Sequence, residues 1–310
     1  MDTAPTHLHW GAEALWESLE PLLPGLSVEV LARVESTNTR LIERARAVGG
    51  DPDTPVTRPG ELDTPGLPAR TPSRTPHGRR AGDVQPCLLV AEEQTRGRGR
   101  LGRGWVSHVG ASLTFSLSLP MAPVQWGGLS LAVGLALAEA LDPLAEGAAP
   151  RIGLKWPNDL WWLDAGGNPA AGRKLGGILI ETISVGALRM CVVGVGLNVA
   201  PQPTAHEGLS HGYACLQEAD PACSAPQALH QVALPLVRAL RRFDAEGFAP
   251  LATAYGRRDL LRGHAVQVSG AEPLQGTAAG VDEQGALLLQ RAGVIDRVVS
   301  GEVSVRLAPA

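Results

Sequence analysis

The chain has 310 residues, 44% of them hydrophobic and 19% charged, with a formal net charge of −4. That is enough apolar material for a large core and a second domain, and it excludes a wholly disordered protein. The mild acidity argues against nucleic acid as the main partner, and no specific DNA binding is expected. Cys87, Cys191, Cys215 and Cys223 show no C-x-x-C spacing and are expected to be reduced thiols. The first residues lack the basic-then-apolar pattern of a signal peptide, and the apolar stretch 129–141 is too short for a bilayer. The expected location is the cytoplasm, with no membrane association.

Residues 8–24 predict a short amphipathic helix ended by Pro24-Gly25, and residues 28–34 a strand. "ESTNTRLIERARAVGG" predicts a turn, a helix capped by Ser36, Thr37 or Asn38, and a glycine stop. Residues 51–86 are dense in Pro, Thr, Arg and Gly with nearly cancelling charge, and are expected to be a disordered insertion in a surface loop. Strands are then expected over 87–92 and 111–119, the second half-buried because Leu113, Phe115, Leu117 and Leu119 alternate with polar residues. Residues 129–141 predict a helix apolar on nearly all sides, hence buried. "RIGLKWPNDLWW", "KLGGILIET" and "LRMCVVGVGLNV" predict three more strands, and 227–246 a helix kinked at Pro235. From about residue 260 short strands recur at regular spacing, which predicts a small β-barrel.

"GRGRLGRGW" (97–105) sets Gly97, Gly99 and Gly102 on the G-x-G-x-x-G spacing of a dinucleotide-binding turn. The context excludes that reading. A strand rather than a helix follows, and no Asp or Glu occurs between Gly102 and Glu139 to hold a ribose. Arg96, Arg98, Arg100 and Arg103 instead point to a strand-to-strand loop that closes over an anion.

Four further segments belong with this loop. "STN" supplies hydroxyl and amide groups at a strand-to-helix turn. "KWPNDL" sets Lys155, Asn158 and Asp159 on a proline turn. "GRKLGGILIE" places Lys174 just before a strand, and "GVGLN" ends a strand with Asn198. Each alone is ordinary turn, cap or bulge chemistry. In this order and spacing they resemble the biotin–protein ligases, from about residue 28 to the C-terminus, except for the Pro-rich insertion.

The resemblance implies an α/β (α+β) fold: a mixed-sheet catalytic domain of the biotin/lipoate ligase type over 28–258, after an N-terminal helical segment 1–27. A small SH3-like β-barrel over 259–310 would follow. It implies formation of biotinyl-5′-AMP from biotin and ATP with Mg²⁺. Biotin then passes to a lysine of the biotin carboxyl carrier protein of acetyl-CoA carboxylase, or of another biotin-dependent carboxylase. Lys174, Arg98 and Arg100 would be catalytic. Ser36, Thr37, Asn38, Gln94, Arg98, Gly99, Arg100, Trp105, Lys174, Gly177 and Gly194 would bind biotin. Arg100, Arg103, Asn158 and Asn198 would bind ATP, and Asp159 is the candidate Mg²⁺ ligand. With 35 residues before Ser36, the chain is expected to be the monofunctional type without a DNA-binding domain. A lipoate–protein ligase and a biotin-responsive repressor are the alternatives, and the sequence leaves a homodimer open.

Overall fold

The computed structural model describes residues 8–49, 56–57, 84–164, 171–202, 212–270, 273–301 and 303–308. The first half holds α1 (Ala12–Leu19), β1 (Ser27–Val34), α2 (Thr37–Gly49), β2 (Val56–Thr57), β3 (Cys87–Gln94), β4 (Gly97–Arg98), β5 (Gly104–Trp105) and β6 (Ser112–Pro120). Next come α3 (Leu129–Leu141), β7 (Ile152–Lys155), β8 (Asp159–Trp162), β9 (Arg173–Val185), β10 (Leu188–Asn198), α4 (Ala225–Glu246) and α5 (Ala252–Gly256). The last strands are β11 (Ala265–Ser269), β12 (Leu274–Val281), β13 (Leu287–Arg291), β14 (Val294–Val298) and β15 (Ser304–Leu307).

An eight-stranded sheet runs β1-β3-β6-β10-β9-β8-β7, with β2 beside β9. It is mixed: β1 and β3 are parallel, and the other pairs are antiparallel. One face carries Leu88, Val90, Leu113, Phe115, Leu117, Val193 and Val195 into the main core, against α1, α3 and α4. The helix α3 is buried almost all round, as its apolar sequence requires. On the other face Leu41, Ile42 and Ala45 of α2 pack on Cys87, Leu89, Ile183 and Val192, a smaller cluster that covers only part of the sheet. The uncovered remainder becomes the site.

Several expectations change. Strand β6 is buried on both faces up to Pro120, not half-buried, because α2 and its neighbours cover the polar side as well. "RIGLKWPNDLWW" makes two strands, β7 and β8, paired as a hairpin. Helix α4 continues through Pro235 and starts at Ala225, where Ser224 and Gln227 cap each other. Within the expected insertion, Val56 and Thr57 pair with Ile183 and Thr182 on an edge of β9 that the short β8 leaves open. Pro86 is buried at the start of β3, and the rest of the 51–83 expectation lies outside the described residues.

The expected C-terminal barrel is an open five-stranded antiparallel sheet, β14-β13-β12-β11-β15, whose edge strands do not pair with each other. Arg258, which follows α5 and precedes β11, is anchored to the end of α3 and to β7. Its guanidinium, almost fully buried, donates to Asp142 Oδ2 at 2.9 Å, to Ile152 O at 3.0 Å and to Asp142 O. Burial pushes the Asp142 carboxyl up, but donors from Ile152, Arg258 and Arg151 outweigh it and hold the group below its ordinary range.

Candidate active site

Strand register sets the floor of the site. Gly177, Leu179 and Glu181 of β9 lie opposite Gly196, Gly194 and Val192 of β10. Those in turn lie opposite Thr114, Ser116 and Ser118 of β6. A face this poor in side-chain volume leaves room for a ligand. Above it lies a cavity of about 670 Å³, within the range of small-molecule sites.

A bulge sets the direction of Lys174. Leu160 pairs with Gly176 and Trp161 with Lys174, so Leu175 is the extra residue. Regular alternation would turn Lys174 away from Gly177. The bulge instead brings it to the face of Asp159 and Trp161, where Nζ meets Asp159 Oδ1 at 2.7 Å. Lys155, opposite Asp159 in the β7–β8 hairpin, is 7% exposed, and its Nζ stands 4.9 Å from the centre of the Trp161 ring. Burial pushes the Lys155 amine down to about 8; Asp159 opposes this, while Lys174, Arg103 and Arg306 add to it. These four cations and Asp159 all line the same end of the cavity. Asp159 is the one carboxylate among the described lining residues.

The other end presents hydroxyl and amide groups, and the Arg98 guanidinium that reaches it is neutralised by Glu181. The Thr37 N–H and hydroxyl donate to Gln94 Oε1 at 2.7 and 3.0 Å. Ser116 Oγ lies 2.6 Å from both Thr37 Oγ1 and Asn38 Oδ1. Asn38 Nδ2 donates to Leu179 O at 3.2 Å and to Glu181 Oε2 at 3.1 Å. Ser36, at the start of α2, accepts from the Thr39 N–H at 3.4 Å. Along β9, Lys174 and Glu181 are separated by about 20 Å of strand, so the cationic and amide ends are well apart.

Residues 97–105 form the roof, a ribbon of β4 and β5 closed by a tight turn. Trp105 lies flat on Gly196, and a Cβ there would sit 2.4 Å from Cε2 of the indole. The indole Nε1 is buried with no hydrogen-bond partner among the described residues. Arg98 reaches back to Glu181 Oε1 at 2.7 Å. Arg100 crosses to the second sheet and donates to the carbonyls of Ser300, Gly301 and Val303, the second at 2.6 Å, and to Asn158 Oδ1 at 3.4 Å.

Residues 82–198 match the Biotin/lipoate A/B protein ligase family, and residues 263–306 match the Biotin protein ligase C terminal domain. The biotin–[acetyl-CoA-carboxylase] ligase of Mycobacterium tuberculosis is 36% identical over 237 residues, 71% of this chain and 79% of that one. The bifunctional ligase/repressor BirA of Salmonella typhimurium is 36% identical over 233 residues, 74% of this chain and 68% of that one. The chain belongs to the biotin protein ligase family. Its fold agrees with the biotin protein ligase of Aquifex aeolicus solved in complex with biotin and ATP. That structure is 26% identical with a TM-score of 0.65, and the match covers 91% of this chain and 99% of that one.

For this ligase-family chain, every residue given a catalytic, biotin, ATP or metal role from the sequence lines one cavity: Ser36, Thr37, Asn38, Gln94, Arg98, Gly99, Arg100, Arg103, Trp105, Asn158, Asp159, Lys174, Gly177, Gly194 and Asn198. Arg96, the fourth arginine of the loop, does not, and pairs instead with Glu35 at the surface. The contacts of the lining residues are less uniform than the motif. The amide nitrogen of Asn158 donates to Ile178 O at 2.7 Å, and that of Asn198 to Lys174 O and Ala214 O at 3.2 and 3.0 Å. Both amides thus brace the walls. Gly194 makes room for Asn38: a Cβ there would lie 2.1 Å from Asn38 Oδ1. Sequence reasoning did not single out Ser116, Glu181, Gly196 or Arg306, and did not give Lys155 a site role. The signals that could have found them are the polar set of β6 for Ser116, the second glycine of "GVGLN" for Gly196, the closing residue of "GRKLGGILIE" for Glu181 and the opening residue of "KWPNDL" for Lys155; Arg306 carried none.

Proposed function

We propose that the chain is an ATP-dependent biotin–protein ligase, and the observation that carries this is the two-ended cavity. Fixed hydroxyl and amide groups stand at one end, where the single cation Arg98 is neutralised by Glu181; Lys155, Lys174, Arg103 and Arg306 stand at the other, and the Trp105 indole roofs the space between them. The ureido ring of biotin is polar and uncharged, and suits Ser36, Thr37, Asn38 and Gln94. The carboxylate of biotin and the phosphates of ATP are anions that repel each other, and Lys174, Lys155, Arg103 and Arg306 offset that repulsion.

In the first step a biotin carboxylate oxygen bonds to the α-phosphorus and the bond to the β-phosphate oxygen breaks, giving biotinyl-5′-AMP and pyrophosphate. Lys174, held by Asp159, stabilises the charge that builds on the α-phosphate oxygens. In the second step the neutral ε-amine of a lysine on the biotin carboxyl carrier protein of acetyl-CoA carboxylase attacks the acyl carbon. AMP leaves with the bonding pair and the amine releases a proton. A nucleotide-borne Mg²⁺ needs only one or two protein carboxylates, and Asp159 would supply one of them. Since that carboxylate is already paired with Lys174, it fits the role only in part, and no step depends on the ion. The catalytic unit is assigned to residues 28–258 and the second unit to 259–310. Among the described residues no helix is long and apolar enough to cross a membrane. The cysteines are unpaired thiols, consistent with a cytoplasmic setting.

Biotin-dependent exchange of labelled pyrophosphate into ATP tests the reading, with lipoate as the control. Exchange with biotin alone supports it, and exchange only with lipoate would replace it with the sister activity.

A further inference from the structure

We propose that Glu181 is the latch of the arginine-rich roof: a buried carboxylate that holds residues 97–105 closed through Arg98 and fixes the Asn38 amide. This rests on the ligase reading for its substrates but not for its geometry.

Glu181 closes the "GRKLGGILIE" segment, but unlike Lys174 and Gly177 of that segment it does not line the cavity. Its side chain is 2% exposed, at the end of the floor row on β9, and two different elements reach it. From the roof, Arg98 Nη2 donates to Oε1 at 2.7 Å, while Nη1 donates to Thr39 Oγ1 at 3.1 Å. From α2, Asn38 Nδ2 donates to Oε2 at 3.1 Å. The Ser116 hydroxyl on Asn38 Oδ1 fixes which way that amide points. Gln94, Thr37, Ser116, Asn38, Glu181 and Arg98 therefore form one connected polar chain from the wall to the roof. Glu181 is its only carboxylate, and among the described residues its ion pair is with Arg98.

The physical consequence is directional. A buried carboxylate stripped of its cation is strongly unfavourable, so an open roof leaves Glu181 uncompensated and the pair drives closure. The roof has a reason to need holding: Leu101 adopts φ 57, ψ 34, the left-handed region that a branched non-glycine residue disfavours. Arg100 ties the far side of the turn to the carbonyls of Gly301 and Val303. Two of the loop arginines thus act as fasteners. Glu181 is a positioning residue, acting through Arg98 and Asn38 on biotin and on retention of the adenylate.

The test uses the full chain with E181Q, which removes the charge at constant shape, and E181D, which restores it. Three quantities are read: KM for biotin and kcat in pyrophosphate exchange, release of labelled biotinyl-AMP, and the rate of tryptic cleavage after Arg98, Arg100 and Arg103, located by mass spectrometry. Losing a charged hydrogen-bonded pair should raise biotin KM and adenylate release by about 10- to 100-fold. The kcat should stay within about threefold, the loop should be cut faster, and E181D should recover part of each. An E181Q protein with normal KM, normal adenylate release and normal cleavage overturns the latch, as does a fall in kcat at unchanged KM. If E181Q does not fold, R98M removes the same pair from its half-exposed side. It must then speed adenylate release and cleavage after Arg100 and Arg103; unchanged rates overturn the proposal. A wild-type protein inactive with biotin would refute only the ligase reading, since the cleavage comparison still reports on the latch.

Discussion

Alanine at Gly196 isolates the contribution of the Trp105 roof from everything else. A Cβ at this position would lie 2.4 Å from Cε2, 2.6 Å from Cζ2 and 2.9 Å from Cδ2 of the indole. Carbon atoms in contact sit at about 3.5–4.0 Å, so the ring must lift by roughly 1 Å. The backbone raises no objection, because Gly196 is not among the residues with positive φ and lies inside β10. The strain falls on the loop rather than the core, since Trp105 is carried by the two-residue strand β5. Unfolding stability should therefore change by less than about 1 kcal/mol. A displacement of about 1 Å in a substrate-positioning group can cost about 10²-fold, and kcat/KM for biotin and for ATP should fall by that order. Gly194→Ala provides the contrast. Its Cβ would meet Asn38 Oδ1 at 2.1 Å and disturb buried hydrogen bonds to Ser116, Leu179 and Glu181, so it should lower stability by about 3 kcal/mol as well as biotin affinity. Pyrophosphate exchange and thermal unfolding on both variants distinguish the two. A Gly196→Ala protein with wild-type kcat/KM would refute the assignment of Trp105 to the roof.

Lys174→Ala should lower single-turnover biotinyl-AMP formation by about 10²–10³ with the fold retained, since it removes a cation and leaves Asp159 facing the anions; Lys174→Arg should recover only part. Near-normal adenylation in folded Lys174→Ala would remove it from the site. Lys155, pushed down to about 8, loses its charge in the folded protein while an unfolded lysine keeps it to about 10.4. Stability should therefore rise with pH between those values, because there the unfolded chain binds the extra proton. ATP affinity should fall about tenfold as pH climbs through 8. Both trends should vanish in Lys155→Met, and calorimetry at pH 7 and 9.5 with pH-dependent melts checks them. Arg258→Ala should cost about 3 kcal/mol in chemical denaturation, because Asp142 is left buried with Arg151 as its remaining cation. A loss below about 1 kcal/mol would mean that water compensates the carboxylate.

Local pattern determined much of this molecule before any contact was known. The alternation of β6, the all-apolar run of α3 and the glycine and proline stops fix element type, because side-chain periodicity reports which residues share a face. The order of the short motifs likewise identified the residues that line one cavity. Neither kind of signal says what lies across that face. The polar side of β6 reads as solvent-facing in the sequence, and only the packing of α2 and its neighbours makes it a buried floor. A closed barrel and an open five-stranded sheet have the same strand pattern, and only the pairing at the edges separates them. Lys174 faces Asp159 because one extra residue, Leu175, shifts the register against β8. Arg98 and Arg100 look identical within "GRGRLGRGW", yet one binds a carboxylate 83 residues away and the other a carbonyl 200 residues away. Sequence determines the local conformations and the chemistry available. Register, bulges and distant charge partners are decided by packing, because their energies exist only once separate elements have met.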